Sequence, residues 1–367
     1  MNVDTAAVLL APQSVVPTSN RPQDSLGVLS SYARLAAAIA AYRQIAALGG
    51  WPPVPPGEVL KTGSVGPGVI ALRARLSITG DLTVAAERLD QFDADLAVAV
   101  RVFQARHGLE EDAVVGRETL RALNVPAGLR LSSMLLNLTR LAKQEAQWGN
   151  RYIAVNAADA TYRYVEDGIV AAEGPVVVGR SNWQTPEVDG VIDRLEFNPY
   201  WLIPPRIAAA EVWPKAHRDP AYLKRNHMQI VNGQIRQDPG ADNPLGKVKF
   251  LFLNRYSVYL HDTNHPELLA SVKRFRSHGC IRVSGALDLA RLLLRDDPSW
   301  PEARIQDAIS QTRSVRVDLK RPIPVHVVYN TAWVDETGRV QFRNDIYDRD
   351  NDSETQTTPH MMDLYGD

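Results

Sequence analysis

The sequence contains a single cysteine, Cys280, in 367 residues. No intramolecular disulfide can form, and a zinc site built on several thiolates is excluded. One cysteine does not assign a redox compartment, because it also suits a secreted protein that must avoid mispairing. An excess of one charge sign is missing as well. The 41 Lys and Arg stand against 42 Asp and Glu, a formal net charge of -1. That argues against nucleic-acid affinity carried mainly by phosphate neutralisation and leaves room only for a local basic groove. Long apolar runs are absent too. Residues 29–48 form the longest, and Tyr32, Arg34, Tyr42, Arg43 and Gln44 break it too often for a spanning helix. Met1-Asn2-Val3-Asp4 lacks the basic stretch and apolar core of a signal peptide. There is no internal repeat.

What is present suits a large soluble protein. Hydrophobic residues make up 45% and charged residues 23%, and a chain of this length exceeds one typical core, so two or three structural units are expected. Residues 1–28 are aperiodic and read as extended or disordered. Residues 31–48 read as a helix stopped by Gly49-Gly50, with a stiff linker at Pro52-Pro53 and Pro55-Pro56. Residues 58–126 form a small helical unit. Val69, Leu72 and Leu76 share one helical face, Leu96, Val100 and Phe103 another, and a helix from Gly116 turns Leu120 and Leu123 inward. A connecting helix carries Leu135, Leu138 and Leu141.

After Trp148-Gly149-Asn150 the texture becomes short β-type runs bounded by Gly, Asn and Asp: residues 152–155, 162–164, 176–178 and 256–260. Residues 200–245 differ. They are rich in Pro and Trp, with helical stretches at 207–212 and 220–225, and read as an insertion or lid. Residues 286–294 form an amphipathic helix. Residues 325–329 and 340–342 read as a hairpin around Glu336-Thr337-Gly338, and 348–367 as a loose acidic tail.

A lone cysteine is more often a small buried hydrophobe than a catalyst. The run Ser277-His278-Gly279-Cys280-Ile281-Arg282 changes that balance. Gly279 permits a tight turn and close backbone approach. His278 and Arg282 flank the thiol with donors or positive charge, which favours thiolate. A polar turn before a helix presents a nucleophile and nearby N–H groups for an oxyanion. The base is expected to be a histidine. His261, at the end of the run 256–260, is one candidate, and His265 and His278 compete. The stretch His261-Asp262-Thr263-Asn264-His265 mimics a zinc-protease pair, but it lacks the glutamate and reads as a loop before Pro266.

Tyr259-Leu260-His261-Asp262-Thr263, followed by Ser277-His278-Gly279-Cys280-Ile281-Arg282-Val283, resembles the L,D-transpeptidase catalytic motif. Arg180, Gln184-Thr185-Pro186, the run 198–204 and the run 329–335 with Asp345-Ile346-Tyr347 resemble the large multidomain Gram-negative branch. His278 departs from it, standing where that branch often has serine. Residues 58–126 are similar to a peptidoglycan-binding helical domain.

The resemblance implies a multidomain α+β protein: an N-terminal extension and scaffold helix (1–57), a peptidoglycan-binding-like all-α domain (58–126) and a connecting helix (127–150). A mainly β, sandwich-like catalytic domain (151–320) follows with its lid at about 200–245, then a β extension (321–350) and a tail (351–367). It implies 3→3 cross-linking of peptidoglycan through a thioester on Cys280, with His261 as base and no cofactor; the alternatives are a carboxypeptidase or cross-link hydrolase using the same cysteine, or a non-catalytic peptidoglycan-binding scaffold. A backbone carbonyl, not the Asp262 carboxylate, would orient His261. Gly279 and Cys280 N–H would form the oxyanion site. Tyr259, His278 and Arg282 would line it, and Trp201 and Trp213 of the lid would touch substrate. Arg206, Lys215, Arg218, Lys224 and Arg225 make the lid basic, either as a solvated face or as a contact for anionic stems. The implied partners are peptidoglycan stem peptides, carbapenems as covalent inhibitors, and membrane-anchored cell-wall enzymes; the implied location is periplasmic, after removal of an export leader.

Overall fold

The structure, a computed structural model, describes residues 30–351. The expected disorder at 1–28 and most of the expected tail lie outside the described residues. The chain divides into two units. One runs through Ala146 and includes Thr331–Asn344 and the stretch from Asp350; the other takes Gln147–Asn330 and Asp345–Arg349.

The first unit is helical. Ser30 caps helix Ser31–Ala47, its hydroxyl accepting from the Ala33 N–H at 3.2 Å, and Gly49-Gly50 follow at positive φ. Helices Pro67–Ile78, Ala94–Arg106 and Arg117–Leu123 enclose a core of Val69, Leu72, Leu76, Leu96, Val100, Phe103 and Leu123, the residues that the helical spacing had brought to one face. Helix Ala127–Gln147 buries Met134 and Leu141 in a second cluster with Leu35, Ile39 and Tyr42. The buried Asn137 amide accepts from the Thr331 N–H at 2.9 Å and donates to its hydroxyl at 2.8 Å.

The second unit is mainly β. Its sheet has nine strands among the described residues, in the order Phe275–Ser277, Ile169–Gly179, Ile281–Val283, Leu260–His261, Val248–Phe252, Val188–Phe197, Val315–Val328, Tyr152–Asn156, Thr161–Glu166. Thr161–Glu166 pairs back onto Ile169–Gly179 through a hairpin, so the sheet closes on itself. Alternate residues turn inward: Leu195 and Phe197, Val248, Phe250 and Phe252, Leu260, Ile281 and Val283 all lie in one core, against helix Ala286–Leu294 and helix Glu302–Ser310. A sandwich-like β domain was expected, and closure joins its faces around a single interior.

Two expected strands differ. In the run 256–260, only Leu260 is in a strand, which continues to His261. The Asn254 side chain accepts from the Tyr256 and Val258 N–H groups at 3.1 and 3.2 Å and donates to the Val258 carbonyl, folding residues 254–258 into a turn with Ser257 left-handed. The expected hairpin of 325–329 with 340–342 is not formed. Val340–Phe342 pairs with Ala332–Val334 in the first unit. Val325 and Val327 instead continue the buried alternation of the long strand Val315–Val328, which pairs with Val188–Phe197 and, in parallel, with Tyr152–Asn156.

Residues 200–245 fold around their own small cluster. A three-stranded sheet (Trp201–Leu202, Gln234–Gln237, Met228–Val231) joins the short helical segments Pro205–Ile207, Ala208–Val212, Trp213–Arg218 and Tyr222–Arg225, burying Ile203, Ile207, Val212 and Ile235.

Candidate active site

The turn carrying Cys280 is braced from both sides. The Ser277 hydroxyl donates to the Cys280 carbonyl at 2.6 Å and accepts from the Gly279 N–H at 3.0 Å. Gly279 has φ +110°, a conformation that L side chains rarely adopt, and an added Cβ would stand 3.4 Å from the Gln184 carbonyl. The fully buried Thr185 hydroxyl donates to the Gly279 carbonyl at 2.8 Å and accepts from the Gly179 N–H at 2.9 Å. The Tyr347 hydroxyl donates to the Gly179 carbonyl, and the Tyr347 N–H donates to the Tyr329 hydroxyl. Thr185, Tyr329 and Tyr347 thus support the turn of Cys280, directly or at one remove.

Strand register builds the rest. Glu196 pairs with Lys249, Lys249 with His261, and His261 with Arg282, so these four side chains emerge in a row on the outer face of the closed sheet. Next to the core-facing Leu260 and Ile281 stand Tyr259 and Cys280, the Ile281 N–H donating to the Tyr259 carbonyl at 3.1 Å. Tyr259 lies close enough to the thiol to lower its pKa, and burial, then the thiol in turn, raises that of the Tyr259 phenol. Lys249 Nζ lies 3.9 Å from the Tyr259 ring centroid.

The His261 imidazole is buried, and its Nδ1 lies 2.6 Å from the Asp262 carbonyl oxygen. A carbonyl only accepts, so Nδ1 carries the hydrogen and Nε2 is left as the basic nitrogen. The Asp262 carboxylate is turned elsewhere, accepting from the Lys247 N–H at 2.7 Å. Burial, then the nearby Arg282 and Lys249 cations, lower the His261 pKa to about 3. Cys280 is half-buried, and burial pushes the thiol above the ordinary cysteine range, against the lowering influence of Tyr259, Lys249 and Arg282. The flanking charges were expected to favour thiolate; desolvation outweighs them, and the resting pair is a thiol and a neutral imidazole.

His278 points to other partners: Glu211, Arg180 and the edge of Trp183. His265 is exposed and pairs with Glu267. Trp201 and Trp213 both pack against the cluster of residues 200–245, and Trp213 stacks on His217. A cavity of about 550 Å³ opens beside His278 and Gly279, lined also by Trp183, Arg206 and Arg349. Sequence reading missed Lys249. Its signal was the alternation Val248-Lys249-Phe250, which turns the lysine outward, but only cross-strand register places it beside His261.

Against this geometry, a family model described as L,D-transpeptidase catalytic domain matches residues 150–306, and one described as "Putative peptidoglycan binding domain" matches residues 65–123. A curated Haemophilus influenzae protein named "Putative L,D-transpeptidase" is 29% identical over 219 residues, covering 54% of this chain and 44% of that protein, so the chain spans less than half of this relative's length. Among solved structures, an L,D-transpeptidase from Stackebrandtia nassauensis is 14% identical, with 76% of this chain and 97% of that chain covered and a TM-score of 0.28. L,D-transpeptidase 3 from Mycobacterium tuberculosis, in complex with a faropenem-derived adduct, is 15% identical, with 49% and 60% covered and a TM-score of 0.26.

Proposed function

We propose, from the match of residues 150–306 to the L,D-transpeptidase catalytic-domain model, that this protein forms 3→3 cross-links in peptidoglycan through a thioester on Cys280. The observation that carries the reading is the Asp262 carbonyl at 2.6 Å from His261 Nδ1, which leaves Nε2 of a neutral imidazole as proton acceptor one strand away from the only thiol. The donor is a tetrapeptide stem. Cys280 Sγ attacks the carbonyl of its third residue, a diamino acid, while His261 Nε2 takes the thiol proton. The bond to D-alanine breaks, and His261 returns the proton to the leaving amine. The side-chain amine of a diamino acid on a second stem then attacks the thioester, completing the cross-link and freeing the thiol.

Because the resting proton belongs on sulfur, its transfer accompanies attack and no thiolate–imidazolium pair waits beforehand. The Cys280 N–H serves the developing oxyanion, since the Gly279 N–H is engaged by Ser277. The helical domain at 65–123 holds the enzyme to its polymer in the periplasm.

Intact-protein mass after incubation with a carbapenem tests the nucleophile. An adduct on wild type that is lost in Cys280→Ala is expected; an adduct retained by Cys280→Ala refutes the assignment. Muropeptide analysis with a purified tetrapeptide donor tests the reaction. Dimers support transfer, and tripeptide monomer alone means that water is the acceptor and cross-linking is wrong.

A further inference from the structure

Two cationic or donor side chains beside the nucleophile's turn converge on a carboxylate that comes from the protein itself. Arg180 follows strand Ile169–Gly179, and its main-chain N–H donates to the Ser277 carbonyl at 3.1 Å. His278 lies two residues before Cys280. Glu211 comes from the lid segment Ala208–Val212. Its Oε1 lies 2.6 Å from His278 Nε2 and 3.5 Å from Arg180 Nη2.

Proton accounting assigns the cluster. A guanidinium only donates and an ionised carboxylate only accepts, so His278 Nε2 carries a hydrogen and donates to Glu211. The 3.0 Å approach of Arg180 Nη2 to the same nitrogen is then a contact between two donors, both serving one carboxylate oxygen. Arg180 Nε is buried and has no hydrogen-bond partner among the described residues. A guanidinium with a spare buried donor has unused capacity for a bidentate carboxylate, which Glu211 does not fill. The cavity alongside continues the site: His278 and Gly279 line it, with Arg206 stacked 3.9 Å over the Trp183 ring and Arg349 on its wall.

We propose that Arg180 and His278 form a carboxylate subsite for the stem peptide, and that Glu211 is its resident occupant, displaced when substrate enters. The inference rests on the acyl-transfer reading above. A tetrapeptide stem offers two carboxylates near the scissile bond, the terminal one of the leaving D-alanine and the one on the diamino acid side chain. Both share the chemistry the subsite recognises, and selective amidation separates them.

The test is steady-state turnover of three donors, one unmodified, one with a C-terminal carboxamide and one amidated on the diamino acid, by wild type, Arg180→Gln, Arg180→Lys and Glu211→Gln. The groups are partly exposed, so the expected effects are modest. Arg180→Gln raises KM for the unmodified donor about three- to tenfold and leaves KM unchanged for whichever amidated donor lacks the recognised carboxylate. Arg180→Lys, which keeps a charge but loses the fork, falls between the two. Glu211→Gln lowers KM for the unmodified donor, because the internal competitor is weakened. Equal effects of Arg180→Gln on all three donors, or a KM raised by Glu211→Gln, would overturn the subsite. If wild type turns over none of the donors, the acyl-transfer reading fails instead, and that outcome is visible before any variant is compared.

Discussion

At the scale of single residues, the site is governed by desolvation acting on three groups at once. Burial raises the Cys280 thiol and lowers the Lys249 ammonium and the His261 imidazole, so each is pushed toward its neutral form. The rate of Cys280 alkylation by iodoacetamide should therefore rise with pH along a curve whose midpoint lies above that of free cysteine. A plateau of fast alkylation below neutrality would contradict this. Lys249→Met should move that midpoint further up, because a nearby cation that favours the thiolate is gone. The same change should raise the His261 pKa, since one of the two cations opposing its protonation is removed. His261 also sets an acid limit on stability. Its pKa of about 3 in the fold lies below the ordinary 6.5, so the unfolded chain binds the proton first. The neutral ring's contribution is whole above about pH 6.5 and is lost as pH falls toward 3, at up to about 1.4 kcal/mol per pH unit. Urea unfolding of His261→Gln between pH 6 and 4 should show a shallower loss of stability than wild type; equal slopes would mean that the ring is not held neutral.

At the scale of elements, the turn carrying Cys280 is held by a side chain, Thr185, that belongs to neither of the strands bearing Cys280's neighbours and His261. Thr185→Val would leave the Gly179 N–H and the Gly279 carbonyl without their partner and should cost about 2 kcal/mol. Thermal unfolding would read this as a Tm several degrees lower, with kcat reduced further by loosening of Gly279. What was legible in the sequence follows from the range of the interactions involved. Cys280 and His261 stand in contiguous motifs, and the helices around Leu72 and Phe103 carry their periodicity within a dozen residues. The Gly279 turn also announced itself locally. Lys249 did not, because its neighbours His261 and Glu196 are fixed by pairing of strands distant in the chain. The run 256–260 alternates like a strand, but the Asn254 side chain bonds the backbone groups that a partner strand would need. Val325 and Val327 fitted a hairpin equally well, and only the closed sheet offered them a buried face.

At the scale of the whole molecule, the second unit is discontinuous in sequence: the chain leaves it after Asn330 and returns for Asp345–Arg349. That short return carries Tyr347, whose hydroxyl donates to the Gly179 carbonyl, and Gly179 is tied through the Thr185 hydroxyl to Gly279 in the turn of Cys280. A fragment of residues 147–330 should fold its sheet but lose acylation by carbapenem, relative to the full chain, more than it loses circular-dichroism signal. Full acylation by that fragment would show that the return segment is dispensable. The same arrangement bears on biosynthesis. Cys280 leaves the ribosome well before Tyr347, so during translation the thiol exists for dozens of residues without the brace that shapes its turn. A chain interrupted before residue 347 carries Cys280 without the Tyr347 bond that supports its turn through Gly179 and Thr185.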